Sequence, residues 1–243
     1  MPKRLIPSTE VKICEPRSQK RGSTMNVLDI IGPVMIGPSS SHTAGAARIG
    51  RIARALLGEE VRQAEIRLCG SFARTYRGHG TDKALVAGIM GMMPDDPRIR
   101  GSLEMAGKMG IQVSIEEEEL SGVHPNTATI HLTGATGKEI TVRAASVGGG
   151  NILVTQVDGM DVEVTGQYTT LIVLHRDAPG TIAGVTEALS ARGVNICNFR
   201  LSRSRKGGTA VMTIEMDGIH DGSLNDHIEH LPNVLASTML API

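Results

Sequence analysis

From Thr170 to Met239 the sequence runs strand, helix, strand, strand, helix, strand, and that order leaves few folds open. Strand signals cover Thr170–His175, Val194–Ser202, Thr209–Met216 and the neighbourhood of Val234–Met239. Helix signals cover Thr181–Arg192 and the neighbourhood of Leu224–Glu229. Short apolar runs bounded by turn residues make the strands, and longer mixed runs make the helices. A βαββαβ unit of this kind closes as a small ferredoxin-like domain, which the sequence predicts over residues 168–243.

Upstream, residues 25–165 read as a separate α+β domain with a mixed sheet. The helix pattern is clearest after Thr43, where Ile49, Ile52, Ala53, Leu56 and Leu57 recur at helical spacing with Arg48, Arg51 and Arg54 between them. Strands are expected at Glu65–Leu68, Gln112–Ile115, Thr127–Leu132, Lys138–Arg143, Ile152–Val157 and Val162–Thr165, and a small-residue helix at Lys83–Met92. The acidic run Glu116–Glu119 is a solvated edge. Residues 1–24 carry Lys3, Arg4, Lys12, Arg17, Lys20 and Arg21 with few apolar anchors, and read as a disordered extension.

Composition removes several function classes. Lys plus Arg and Asp plus Glu both number 25, so no global field recruits nucleic acid or an anionic membrane. Aromatic residues make up 2% of the chain and Trp is absent, which removes the stacking platforms of single-strand binders. No apolar run approaches the roughly 20 residues that span a bilayer, and no secretion signal is evident, so the cytoplasm is the expected compartment. Cys14, Cys69 and Cys197 are odd in number and far apart, which suits reduced structural thiols rather than a disulfide framework or a metal knuckle. A four-iron cluster needs three or four thiolates, commonly in close-spaced runs, and this chain has no such run.

The sharpest local feature is Gly37-Pro38-Ser39-Ser40-Ser41-His42-Thr43-Ala44-Gly45, set just before the amphipathic helix. One serine is enough to cap a helix. The further hydroxyls, the free N–H groups and the positive helix end together suit a carboxylate, and an imidazole beside them can move protons. Capping alone remains the simpler reading of the loop by itself.

The same segment closely resembles the signature of the β domain of iron–sulfur L-serine dehydratases. Further landmarks follow in the family's order: Gly70-Ser71-Phe72-Ala73, Gly78-His79-Gly80-Thr81-Asp82, His124-Pro125-Asn126-Thr127 and Ser146-Val147-Gly148-Gly149-Gly150. The turn Arg176-Asp177-Ala178-Pro179-Gly180 and the stretch Gly193-Val194-Asn195-Ile196 resemble an ACT domain, a small regulatory fold. The resemblance runs from about Asn26 to the end of the sequence.

That resemblance implies conversion of L-serine to pyruvate and ammonia, at a [4Fe-4S] cluster whose cysteines sit in a separate α subunit, so this chain is active only with that partner and ligates no metal itself. It makes His42 the first candidate for the base that takes the α-proton, with Ser39, Ser40, Ser41 and Thr43 positioning the substrate carboxylate or the histidine. His79 is the second catalytic candidate, although a capped turn is an equally simple account of it. Asp82 either caps the following helix or orients His79. His124 precedes Pro125 at a loop edge, where a structural role competes with substrate binding. Asn126 and Gly149 complete the substrate-binding set, and Gly148–Gly150 equally suit a plain turn. His227 and His230, three apart on a helix, read as polar surface. For the ACT-like part the implied effector contacts are Asp177 and Gly180 in one chain and Asn195 from a pairing copy, or else the tail merely holds two chains together; a homodimer through one or both domains is expected.

Two rivals remain. One is a non-catalytic amino-acid-binding regulator, because the upstream domain also resembles an allosteric substrate-binding domain of some phosphoglycerate dehydrogenases. The other is a serine hydrolase using Ser40 or Ser41 with His42, which suffers because neighbours on one turn seldom reach nucleophile–base geometry and no Gly-x-Ser-x-Gly elbow is present.

Overall fold

The structure is a computed structural model and describes residue 35, residues 37–218 and residues 222–243. The extension expected over residues 1–24 lies outside the described residues, as does Cys14.

A π-helical turn, Ser41–Gly45, leads without a break into helix α1, Ala46–Leu57. Every third or fourth residue of α1 is apolar, so Ile49, Ile52, Ala53, Leu56 and Leu57 turn inward and are buried. Gly58 ends the helix in the left-handed conformation (φ 75°), a backbone state that suits glycine. The chain continues through β1 (Val61–Leu68), α2 (Gly70–His79), α3 (Thr81–Ile89), a 3₁₀ turn (Pro97–Gly101) and α4 (Ser102–Lys108). Strands β2 (Gln112–Glu117), β3 (Thr127–Gly134), β4 (Glu139–Gly148), β5 (Asn151–Val157) and β6 (Met160–Val164) follow.

These strands form one sheet in the order β2-β1-β3-β4-β5-β6. Only β1 and β2 are parallel, as their long helical connection requires, and the other pairs are antiparallel. Helix α1 packs against this sheet and crosses α3. Ile49, Ile52 and Leu57 of α1 meet Ile66, Leu68, Leu85, Ile89, Ile130 and Leu132 in one fully buried cluster. Each such side chain contributes about 1.5–3 kcal/mol relative to exposure. The α1–α3 crossing is close because glycines face backbone: a Cβ on Gly88 would lie 2.0 Å from the Ala47 carbonyl oxygen, and one on Gly50 would lie 2.2 Å from that of Leu85.

The C-terminal elements are β7 (Thr169–Arg176), α5 (Thr181–Ala191), β8 (Ile196–Arg203), β9 (Thr209–Met216), α6 (Gly222–Glu229) and β10 (Val234–Leu240). The sheet order is β10-β7-β9-β8, all antiparallel, so the expected βαββαβ ferredoxin-like topology is present. Leu171, Val173, Met212, Ile214 and Met216 pack with Val185, Leu189, Leu224 and Ile228 of α5 and α6. Ile172, Val211 and Leu240 alternate with that set along their strands and join the core of the first sheet instead. The fold is therefore a mixed-sheet α+β unit followed by a ferredoxin-like sheet that shares apolar contacts with it.

Two elements go beyond the sequence reading. Residues Gly70–His79 and Ser102–Lys108 are helical, although no helix was expected there. Helix α2 buries only Phe72 and Ala73 and carries two arginines and Gly78, so its apolar stripe is too short to show a period. A third departure is the π-helical turn, in which the Gly45 N–H reaches the Ser40 carbonyl while the Ser40 side chain makes no capping bond.

Candidate active site

The site grows from the way Ser39–Gly45 is wound. The Thr43 N–H donates to the Ser39 carbonyl (2.9 Å), but the Gly45 N–H reaches one residue further, to the Ser40 carbonyl (2.9 Å). This widened turn is a recurrent device at functional sites, because the extra residue redirects a side chain without ending the helix. Glycine is required at position 45, where a Cβ would lie 2.1 Å from Ser146 Oγ at the end of β4. The redirected side chain is His42, which is 8% exposed.

Two hydroxyls bracket the imidazole. Ser39 Oγ lies 3.1 Å from His42 Nδ1, and Ser71 Oγ lies 3.4 Å from Nε2. Ser39 Oγ also accepts the His42 backbone N–H at 3.4 Å. Phe72 meets the ring edge-on at 5.2 Å between centroids, and His79 does so at 4.8 Å. Burial pushes the imidazole below its ordinary value of 6.5, the neighbouring His79 pushes it the same way, and the Ser71 backbone opposes them. An oriented imidazole of lowered pKa with a hydroxyl at each nitrogen suits proton transfer.

Ser71 is the site residue that the sequence reading left without a role, although Gly70-Ser71-Phe72-Ala73 was one of its landmarks. The start of α2 holds Ser71 in place: Pro125 O accepts the N–H groups of Ser71 (2.7 Å) and Phe72 (3.3 Å). The loop His124–Asn126 thus acts through α2. His124 is exposed, its Nδ1 accepts the Asn126 N–H at 3.1 Å and its carbonyl accepts the Thr127 hydroxyl at 2.6 Å. Asn126 O accepts the Ser146 N–H at 3.0 Å. These contacts describe a buttress between the start of α2 and the end of β4.

Ser40 and Ser41 are half-buried on the π-helical turn, and it is Ser39, not either of them, whose hydroxyl approaches His42. Thr43 is 2% exposed. His79 is exposed at the end of α2, and Gly80 (φ 72°) links it to α3. The Asp82 carboxylate accepts the Lys83 N–H at 2.8 Å in the first turn of α3. Gly149 is exposed between Gly148 and Gly150 in a turn of three successive positive φ values, and Arg48 of α1 donates to the Gly150 carbonyl at 2.9 Å.

The expected effector residues lie at opposite ends of the second sheet. Asp177 accepts from the Gly207 N–H (2.9 Å) and from Arg203 (3.0 Å), which hold its carboxyl below the ordinary carboxylate value. Asn195 donates to Asp217 at 2.6 Å. Strand β8 runs between these ends, and its length at ~3.4 Å per residue separates them by more than ~20 Å. Within one chain they do not read the same small molecule.

The described residues do not fit an iron–sulfur cluster. Cys69 is buried with its thiol toward the Leu120 carbonyl at 3.8 Å, and Cys197 is exposed on β8. No group of three or more His, Cys, Asp or Glu that could hold a metal ion occurs among the described residues. No described helix is long and apolar enough to cross a membrane.

Comparison with known proteins adds two family matches. Residues 26–157 match the serine dehydratase beta chain model and residues 169–233 match the ACT domain model. The chain is 43% identical over 216 residues to the probable L-serine dehydratase, beta chain, of Bacillus subtilis, covering 89% of this chain and 98% of that one. It is 36% identical over 193 residues to the L-serine dehydratase, beta chain, of Peptoniphilus asaccharolyticus, covering 79% and 87%. It is also 29% identical over 189 residues to a D-3-phosphoglycerate dehydrogenase of Synechocystis, covering 74% of this chain and 33% of that one.

Proposed function

The chain belongs to the family of serine dehydratase beta chains, and from that membership we propose that it is the β subunit of an L-serine dehydratase, converting L-serine to pyruvate and ammonia with an α subunit. The observation that carries the reading is the buried His42 imidazole held between Ser39 and Ser71 on the widened helix start. In this reading the cluster that assists departure of the β-hydroxyl belongs to the α subunit. His42 takes the α-proton of serine, and the electron pair left at Cα forms the double bond as the hydroxyl departs. The resulting aminoacrylate tautomerises to an imine, and water hydrolyses that imine to pyruvate and ammonia.

Within this chain Ser39 and Ser71 orient the imidazole and fix which nitrogen carries the proton. His79, edge-on to His42, pushes the His42 pKa further down and so favours the form that accepts a proton. Ser40, Ser41 and Thr43 face the substrate, while Asp82, Asn126, His124 and Gly149 shape the surrounding turns. Residues 25–165 form the dehydratase portion and residues 168–243 the regulatory one. An effector bridging Asp177 and Gly180 of one chain and Asn195 of another requires a homodimer, and the edge strand β8, which exposes Phe199 and Leu201, suits such pairing. The cytoplasm remains the expected compartment.

The test is anaerobic, serine-dependent pyruvate release by this chain alone and after mixing with a cysteine-rich α partner carrying a reconstituted cluster. Release only in the mixture is expected. No release in either, together with calorimetric binding of serine to this chain alone, would turn the assignment toward an amino-acid-binding regulator.

A further inference from the structure

We infer that a cationic cavity beside His42, lined by Thr43, His79, Arg77, Lys83 and Arg100, seats the carboxylate of a small α-substituted acid. The inference rests on the dehydratase reading and refines it by giving roles to Arg77, Lys83 and Arg100, which that reading leaves without one.

The cavity lies between Gly37, the π-helical turn, the α2–α3 turn and the 3₁₀ turn, with a volume of ≈ 260 Å³. At ~30 Å³ for a water-sized group, it holds several such groups, enough for a carboxylate and a short carbon chain. Three permanent or near-permanent cations line it and no acidic side chain does. Among the described residues, none of the three makes an ion pair with Asp or Glu, and Arg77 only leans on the Tyr76 ring and hydroxyl. Like charges gathered in a concave wall without counter-charges favour an anion. The Asp82 carboxylate is engaged with the Lys83 backbone N–H, so the start of α3 is not itself the anchor.

A second observation comes from within the wall. Thr43 is 2% exposed, yet its Oγ1 has no hydrogen-bond partner among the described residues. The hydroxyl faces Gly37, also on the cavity wall, where a Cβ would lie 2.1 Å from it. A buried hydroxyl without a partner is uncommon in a folded chain, and a carboxylate oxygen in this cavity is an acceptor for it.

The position orients the ligand. His79 belongs both to the cavity wall and to the edge-on pair with His42, so an acid anchored here extends toward the imidazole. The cations repel an α-ammonium group, which leaves the carboxylate inside and the amino group outside. Serine and pyruvate share this chemistry as substrate and product.

Calorimetric titration of the full chain with L-serine, pyruvate, L-serinamide and inorganic phosphate tests the site, using the native chain, Lys83→Gln, Arg100→Gln and the remote control Arg205→Gln. Binding of L-serine and pyruvate, no binding of serinamide, and a loss of about tenfold in both pocket variants but not in Arg205→Gln are expected. Absence of carboxylate binding, equal binding by the pocket variants, or binding of phosphate alone overturns the inference. In the mixture with the α partner, Arg100→Gln is expected to raise KM for serine about tenfold with little change in kcat. An active mixture with unchanged KM in both pocket variants removes the carboxylate seat and leaves the dehydratase reading standing. An inactive native mixture, with pyruvate binding that still depends on Lys83 and Arg100, removes that reading and keeps the seat.

Discussion

Two causes act together to lower the proton affinity of His42: it is buried, and a second imidazole lies edge-on at 4.8 Å. Its folded value lies below the ordinary 6.5, so between those two values the unfolded chain binds a proton that the folded chain refuses. His42 therefore makes stability fall as pH drops through that window and contributes no pH dependence well above 6.5. For the base in its neutral form, the acidic limb of the kcat/KM profile of the reconstituted enzyme is expected below pH 6.5. Replacing His42 with Ala is expected to lower kcat by about 10²–10⁴-fold while the variant still folds and binds its partner. Full activity in that variant, measured as pyruvate release, would remove His42 from the chemistry. Much of this site was legible in the sequence, because a histidine among serines at a helix start is unusual. Ser71 was not, since its role comes from the Pro125 carbonyl fixing α2, a contact between residues 54 apart in sequence.

At the scale of elements, the site depends on how closely α1 and α3 cross. The crossing brings the π-helical turn at the head of α1 beside the His79–Lys83 segment, and Gly50 and Gly88 permit it. Gly88→Ala places a methyl group 2.0 Å from the Ala47 carbonyl oxygen, a backbone atom that cannot rotate away. Overpacking of this kind costs about 1–3 kcal/mol, so a fall of several degrees in Tm is expected by calorimetry. An unchanged Tm would mean that the helices separate at little cost. The glycines themselves are plain in the sequence, but their purpose is not, because a helical glycine reads only as a weak point. Helix α1 was legible for the opposite reason: its apolar stripe spans three turns, whereas α2 buries two apolar side chains and leaves no periodic trace.

At the scale of the whole molecule, the two sheets are joined by more than the connection between β6 and β7. Ile172, Val211 and Leu240 complete the core beneath the first sheet, and Arg200 of β8 pairs with Glu163 of β6. Glu215, 3% exposed on β9, accepts both the N–H (2.9 Å) and the hydroxyl (2.8 Å) of Thr165, and the Asn198 amide at 3.3 Å. Such a junction predicts that both sheets lose amide protection together in urea, as followed by hydrogen exchange. Glu215→Ala leaves three donors without their acceptor and is expected to cost about 1–3 kcal/mol. It should also split the single transition, with the C-terminal sheet opening first. The same junction decides whether an effector on the ACT-type sheet can be felt at His42, since coupling between distant sites needs an element whose state both sites bias. If Glu215→Ala opens the two sheets independently while the reconstituted enzyme keeps its serine kinetics, the C-terminal sheet serves assembly. If KM or kcat shifts with the loss of cooperativity, the junction transmits regulation.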